Sequence, residues 1–303
     1  MLKGIQYRCS ESARRCAFAV HQALSFVRLR AVQDGRKPDV TAVVVGRNDD
    51  YMPDFYRRLQ VTVAWNLQSF VQEVVFVEWN PPADRQLLSS QLTKEFPQVR
   101  AYVVHPGLHK GLCDNPNLSL LEYHAKNVGI RRAEGGWVVA MNADVAISPD
   151  MLSVFHGLQL GGDSVFTAQR VDIPWREGRT RHLALFDCLH YRRIIPYRSL
   201  GTGDFLLTSK ELWHRVRGYD EALLTHRIGC DVRGAAQMRL HGARIRRAGT
   251  VLHFAHPTSC TEKVQPHHGD YASLDGLPYQ NPPTWGMSNR REVQLTERVW
   301  SLE

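Results

Sequence analysis

Between residues 41 and 150 short apolar runs alternate with stretches of helical period, a pattern that few folds accommodate. Thr41 to Val45 is a β-branched run ending at Gly46, which reads as a buried strand. Phe55, Leu59, Val63 and Leu67 then recur every fourth residue, the spacing of one helix face. Glu73 to Trp79 reads as a second strand, residues 83–95 as a helix and 99–104 as a third strand, before a loop rich in His, Gly, Asn and Pro. Leu120 to Ala133 is helical and stopped by Gly135-Gly136; Trp137 to Met141 is a fourth strand that runs into Asn142-Ala143-Asp144. Pro149, suited to a first helical position, opens another helix. Such units demand a mostly parallel twisted α/β sheet with helices on both faces, and these sheets bind ligands beyond the carboxyl ends of their strands.

From 161 the periodicity weakens. Ser164 to Ala168, Phe205 to Thr208 and Thr250 to Phe254 read as strands, and 209–216 and 231–242 as helices. Beyond Pro257, Pro266, His267, His268, Pro282, Pro283 and Trp285 follow no period, which suggests a wrapping loop; His267, His268, Trp285 and Gly286 are read either as a lid or as plain tail packing. The expected organisation is therefore a helix over 1–37, a catalytic domain over 38–256 and a tail over 257–303. The domain divides into a nucleotide-binding half, 38–150, and a second half, 151–256. At 303 residues the chain is long enough to bury a core of its own.

The formal charge of +8 invites a nucleic-acid reading, but the excess is unevenly placed. Residues 1–37 hold eight basic residues (Lys3, Arg8, Arg14, Arg15, Arg28, Arg30, Arg36 and Lys37) against Glu11 and Asp34, a net +6. Cys16, Val20, Leu24, Val27 and Ala31 fall on one side of a helix there, and Arg14, His21, Ser25 and Arg28 on another. A basic amphipathic helix of this kind either lies on an anionic membrane surface or packs on the domain. The six cysteines form no C-x-x-C pair and follow no secretory leader, so reduced thiols and a cytoplasmic location, in solution or peripheral on the inner face of a membrane, are expected. No run approaches the ~18 apolar residues of a spanning helix.

Two phosphate-binding signatures are missing, G-x-x-x-x-G-K-[ST] and G-x-G-x-x-G after the first strand, which argues against kinases, ATPases and ordinary dehydrogenases. What remains is the strand end Asn142-Ala143-Asp144. Strand side chains alternate, so Asn142 and Asp144 project to the same side. An oxygen pair there suits Mg²⁺ or Mn²⁺, although N-x-D alone also fits a turn or a helix cap. Arg47, at the same sheet edge, is placed either to touch a nucleotide or to pair with Asp49 or Asp50. Gly203-Asp204 is by itself an ordinary turn pair.

The run Glu122-Tyr-His-Ala-Lys-Asn-Val-Gly-Ile-Arg-Arg-Ala133, followed by Gly136 to Asp144, resembles the "A-x-N-x-G-I…D-x-D" stretch of GT-A fold glycosyltransferases, especially glycosyltransferase family 2. Gly203-Asp204-Phe-Leu-Leu-Thr-Ser-Lys210 through Gly218-Tyr-Asp-Glu221 resembles that family's acceptor-side segment, and the similarity spans roughly residues 41–256. The resemblance implies transfer of a sugar from a nucleoside diphosphate sugar to a glycan, lipid-linked or small-molecule hydroxyl acceptor, with no nucleic-acid partner. It also implies a metal held by Asp144 and by His253 or His256 in Val251-Leu-His-Phe-Ala-His256, although a lone strand histidine is also a common hydrogen-bonded core residue. Asp, His and diphosphate oxygens together favour Mn²⁺. Lys126 and Asn127 come beside the donor by the same resemblance, or form a solvated helix end.

Three positions depart from the family pattern. Asn142 stands where the first Asp of D-x-D is usual, Glu78 stands where an Asp commonly contacts the nucleobase, and Cys230-Asp231 replaces Glu-Asp. Asp231 is left as the base of an inverting reaction, or else an N-cap of the helix Val232 to Leu240 whose dipole would keep its pKa low. Asp204 would face the reacting centre in a retaining one. The rivals are a sugar-phosphate nucleotidylyltransferase, against which the missing Gly-rich loop counts, and a non-catalytic membrane or nucleic-acid adaptor.

Overall fold

The computed structural model describes residues 38–52, 54–113, 115, 118–158, 163–175, 193–194, 203–226, 228–256 and 272–303, with 20, 23–25 and 27 ahead of them. In chain order the strands are β1 (Val40–Gly46), β2 (Glu73–Trp79), β3 (Val99–Val104), β4 (Trp137–Asn142), β5 (Val145–Ile147), β6 (Ser164–Pro174), β7 (Arg193–Ile194), β8 (Phe205–Ser209), β9 (Arg244–Ala255), β10 (Glu292–Thr296) and β11 (Val299–Leu302). The helices are α1 (Phe55–Ser69), α2 (Leu88–Glu95), α3 (Pro106–Leu112), α4 (Glu122–Arg132), α5 (Leu152–His156), α6 (Lys210–Val216) and α7 (Cys230–Leu240), with a 3₁₀ turn at Pro149–Met151.

All the strands join one sheet in the order β10-β11-β3-β2-β1-β4-β8-β6-β9-β5, with β7 beside β6. The block β11-β3-β2-β1-β4 is parallel throughout, whereas β8 runs antiparallel to both β4 and β6, and β5 antiparallel to β9. Alternation along each strand feeds two apolar layers. Ala42, Val44, Val74 and Phe76 join Leu59, Trp65 and Leu92 of α1 and α2 in one layer; Val43, Val45, Val75 and Val77 join Val128 of α4 and Trp213 of α6 in the other. Helices thus cover both faces, as the alternating pattern requires.

Gly129 sets the closest approach of helix to sheet. A Cβ at that position would lie 2.4 Å from Val43 Cγ1, so α4 seats directly on β1 only because the side chain is absent. Gly218 is held at φ 74° where a Cβ would meet Asn127 Oδ1 at 2.2 Å. These two contacts bring α4 and the 218–221 turn together.

The elements differ from the sequence expectations in four places. Helix α2 starts at Leu88 rather than near 83, because Pro81-Pro82 delays it and the Glu78 carboxylate receives the N–H groups of Leu88 and Ser89. The His/Gly-rich loop contains α3, entered at Pro106 with the His105 ring accepting from the Gly107 N–H. Strands β6 and β9 run to 11 and 12 residues, their polar alternation having hidden them. The tail, expected as a wrapping loop, ends in the β10-β11 hairpin, whose second strand extends the sheet in parallel beside β3.

Most of 1–37 lies outside the described residues. Of the expected apolar stripe, Val20, Leu24 and Val27 are helical and 58–64% exposed. Among the described residues no helix is long and apolar enough to cross a membrane. Cys113 and Cys230 are buried free thiols.

Candidate active site

A cavity of about 330 Å³ opens beyond the carboxyl ends of β1 and β4. Its wall carries Arg47, Tyr51, Glu122, Tyr123, Asn142, Asp144, Arg170, His226, His253 and His256. Asp144 follows β4, while His253 lies near the end of β9, opposite Val145 of β5 in an antiparallel register. This crossing of β5 and β9 turns two distant stretches of sequence toward one point.

At that point three donor atoms converge. Asp144 Oδ2 is 3.1 Å from His253 Nε2 and 2.9 Å from His256 Nε2, and the two nitrogens are 3.2 Å apart. Asp144 Oδ2 is buried and has no partner in hydrogen-bonding geometry. A buried carboxylate oxygen facing two ring nitrogens is met either by protons on those nitrogens or by a shared cation. The three edges also match one face of an octahedron with ligand distances of about 2.2 Å, near those of a divalent transition metal. The donor set therefore fits a metal ion. Burial alone would raise the Asp144 carboxyl, but the two imidazoles hold it well below the usual carboxylate range. His253 is disfavoured as a cation by burial yet is pushed up to about 9 by Asp144 and Asp172.

A connected set of polar side chains leads away from this triad. Asp172 Oδ1 lies 2.8 Å from His253 Nδ1 and also receives Arg170 Nε at 2.8 Å. Arg170 Nη1 reaches Asp204 at 3.4 Å, Asn142 Nδ2 donates to Asp204 Oδ1 at 3.0 Å, and Lys126 Nζ donates to Asn142 Oδ1 at 3.0 Å. The fully buried Lys126 is completed by Glu122 Oε1 at 2.6 Å and Gly203 O at 2.7 Å. Each charge in this set has a partner of opposite sign, which a buried network requires.

Of the residues singled out from sequence, Asp144, His253 and His256 come together, Arg47 and Asn142 line the same cavity, and Lys126 and Asp204 stand one contact behind Asn142. Asn142 spends both ends of its amide on Lys126 and Asp204, so its carbonyl oxygen is held by an ammonium. Arg47 pairs with Asp49 at 3.1 Å and stacks on Tyr51 while lining the cavity. Asn127 is buried, with its amide clamped to Tyr219 N, Tyr219 O and Glu221. Glu78 is buried at the start of α2, and burial raises its pKa despite the Ser89 and Leu88 donors. Trp285 packs against His214 and Arg131 and is 2% exposed, which is the tail-packing alternative; His267 and His268 lie outside the described residues.

Asp231 corrects two expectations. It is the second residue of α7, whose N-cap is Gly229, so it is not the cap itself. Burial pushes its pKa up to about 6, with the Val232 N–H and Lys126 opposing, where the helix terminus alone suggested a low value. The carboxylates on the wall of the cavity are Glu122 and Asp144; Asp231 is not on that wall but interacts electrostatically with two residues that are, Tyr123 and Glu122.

Sequence reasoning missed Arg170, Asp172, Glu122 and His226. The last lines the cavity with a buried Nδ1 that has no hydrogen-bond partner. The signal for the first two was the alternation Arg170-Val171-Asp172-Ile173, polar positions between buried apolar ones.

No protein-family model and no curated protein sequence matches the chain. Among solved structures it is similar to a mycobacterial protein (12% identity, TM-score 0.39, covering 77% of this chain and 72% of the other). It is similar also to Staphylococcus aureus TarS (11%, 0.36, 73% of this chain but only 37% of TarS). A third likeness is to glucosyl-3-phosphoglycerate synthase from Mycobacterium tuberculosis, solved in complex with Mn²⁺, UDP and phosphoglyceric acid (15%, 0.35, 76% and 74%). These likenesses are loose, and the functional reading stands on the site's own geometry.

Proposed function

We propose that the chain is a metal-dependent glycosyltransferase that moves a sugar from a nucleoside diphosphate sugar to a hydroxyl acceptor. The observation that carries this reading is the Asp144-His253-His256 triad, set in a cavity at the carboxyl ends of parallel strands. Asp144, His253 and His256 would hold Mn²⁺, which two imidazoles and a carboxylate favour over the oxygen-preferring Mg²⁺. When bound, such an ion neutralises the charge that develops on a departing diphosphate.

The remaining work falls to this chain's own groups. Arg47 sits on the cavity wall where a phosphate or nucleotide would pass, its guanidinium oriented by Asp49 and Tyr51. Lys126 acts from behind, holding Glu122 and Asn142 at the wall rather than touching the donor itself. Asn127 keeps α4 and the 219–221 turn in register, and Glu78 fixes the start of α2 beside the nucleotide side of the sheet. Asp231 takes the acceptor proton in an inverting transfer, and a pKa near 6 leaves it mostly ionised at pH 7 yet basic enough to accept. Asp204, bound by Asn142 and Arg170, orients the acceptor side.

Residues 1–37 hold the enzyme on an anionic membrane surface from the cytoplasmic side. Their net +6 and the exposed Val20, Leu24 and Val27 support that role. The test of the catalytic reading is Asp144→Ala, which should abolish turnover with the fold intact. Full activity of the wild type in EDTA would sink it.

A further inference from the structure

His253 faces two competitors for the same ring nitrogen. Its Nδ1 is 2.8 Å from Asp172 Oδ1 and 2.7 Å from Arg170 Nη2, which also stands 3.1 Å from Nε2. A guanidinium can only donate and a carboxylate can only accept, so at Nδ1 the two partners demand opposite tautomers. If Arg170 donates to Nδ1, the ring proton sits on Nε2 and points at Asp144, closing that nitrogen to a cation. If Asp172 accepts from Nδ1–H, the Nε2 lone pair faces Asp144 Oδ2 and His256 Nε2, with Arg170 Nη2 as the donor a cation has to displace. We propose that Asp172 is the positioning carboxylate of the metal centre, holding His253 in the one tautomer and ring orientation that can bind a divalent cation, against the pull of Arg170.

The backbone builds this contact. Asp172 and His253 are register partners in the parallel β6-β9 ladder, so their side chains rise from adjacent strands on the same face of the sheet. Arg170 stands two residues earlier on that face, with Val171 and Ile173 buried on the other. The Asp172 carboxylate also binds Arg170 Nε, which ties the guanidinium down and limits what it can donate to the ring. Carboxylates that orient a metal-binding histidine in this way are commonly worth ten- to a hundredfold in metal affinity.

This inference rests on the metal reading of the triad, and Mn²⁺ titration of the full chain, followed by the loss of the free-ion EPR signal, separates the two. Wild type should bind one Mn²⁺ saturably and Asp144→Ala should not; failure of either result overturns the metal centre and the Asp172 proposal with it. Given that binding, Asp172→Ala should weaken Mn²⁺ affinity about tenfold or more. Asp172→Asn keeps an acceptor oxygen and the side-chain volume, so it should fold and weaken affinity less, yet measurably. Removing Arg170 as well, in Asp172→Ala/Arg170→Met, should restore part of the loss, because the opposing donor is gone. Asp172→Ala, melting as wild type does, with an affinity within threefold of wild type would overturn the proposal. So would an unchanged Asp172→Asn if the alanine variant does not fold.

Discussion

Asn142→Asp would rebuild the D-x-D pattern of the family this sequence resembles, and the structure predicts that it does harm. The Asn142 Nδ2 group donates to Asp204 Oδ1 at 3.0 Å, and its Oδ1 accepts from Lys126 at 3.0 Å. A carboxylate here keeps the second contact but turns the first into two oxygens of like charge. At an effective dielectric constant near 20 that repulsion is about 5 kcal/mol, and the lost hydrogen bond to a charged group adds about 1.5–3. Lys126 offsets part of this, though it is already shared with Glu122 and Gly203 O. A net loss on the order of 3 kcal/mol should lower the melting temperature by roughly 5 °C or more in a chain of this size. Like charges raise the folded-state pKa of the pair, so the penalty should be absent where both groups are protonated and should grow as pH rises above the usual carboxylate range. Melting curves of wild type and Asn142→Asp in EDTA, from pH 4.5 to 8, read this directly. A variant as stable as wild type at pH 8, or a gap that widens toward acid, would refute the reasoning.

Asp231→Asn should cut turnover roughly 10² to 10⁴-fold with donor binding retained, and kcat/KM of the wild type should rise with pH through about 6; retention of more than a tenth of turnover would leave the reaction without this base. The same substitution should stabilise the protein above pH 6 by roughly 2–3 kcal/mol, because a carboxyl raised from 3.8 to about 6 contributes most below the lower value and loses that contribution as pH passes the higher one. Gly129→Ala drives a methyl to 2.4 Å from Val43 Cγ1 and should cost about 1–3 kcal/mol in a denaturant melt; no loss would show that α4 can lift from β1 freely. A chain shortened to begin at Asp39 should no longer float with phosphatidylglycerol vesicles, and equal flotation would assign residues 1–37 a packing role instead.

The parallel half of the sheet was legible because buried strands such as Thr41 to Val45 and Glu73 to Trp79 are continuous apolar runs set between helical periods. Strands β6 and β9 were only partly legible: Arg244, Arg246 and Arg247 are exposed, Arg170 lines a polar cavity and Asp172 pairs with it, so neither strand looks apolar along its length. That same polarity hid the partners of His253. Asp144 and one of His253 and His256 were read because their segments resemble a family pattern, whereas the tautomer contest between Arg170 and Asp172 depends on the β6-β9 register, which spacing along the chain does not reveal. Asp231 was found as a residue but misjudged in the direction of its pKa shift, since a helix terminus suggests a low pKa and only the folded chain shows the burial that raises it. The β10-β11 hairpin escaped notice because its two short strands turn at Glu297-Arg298 with no Gly or Pro to mark them.

The central claim is that Asp144, His253 and His256 support transfer from a nucleoside diphosphate sugar. Incubating the full chain with a panel of nucleotide sugars and Mn²⁺, and measuring slow release of the nucleoside diphosphate, tests it without an acceptor. At least one donor should be hydrolysed by the wild type, and EDTA or Asp144→Ala should each abolish that release. Release from no donor in the panel, or release that persists unchanged in EDTA and in Asp144→Ala, would contradict it.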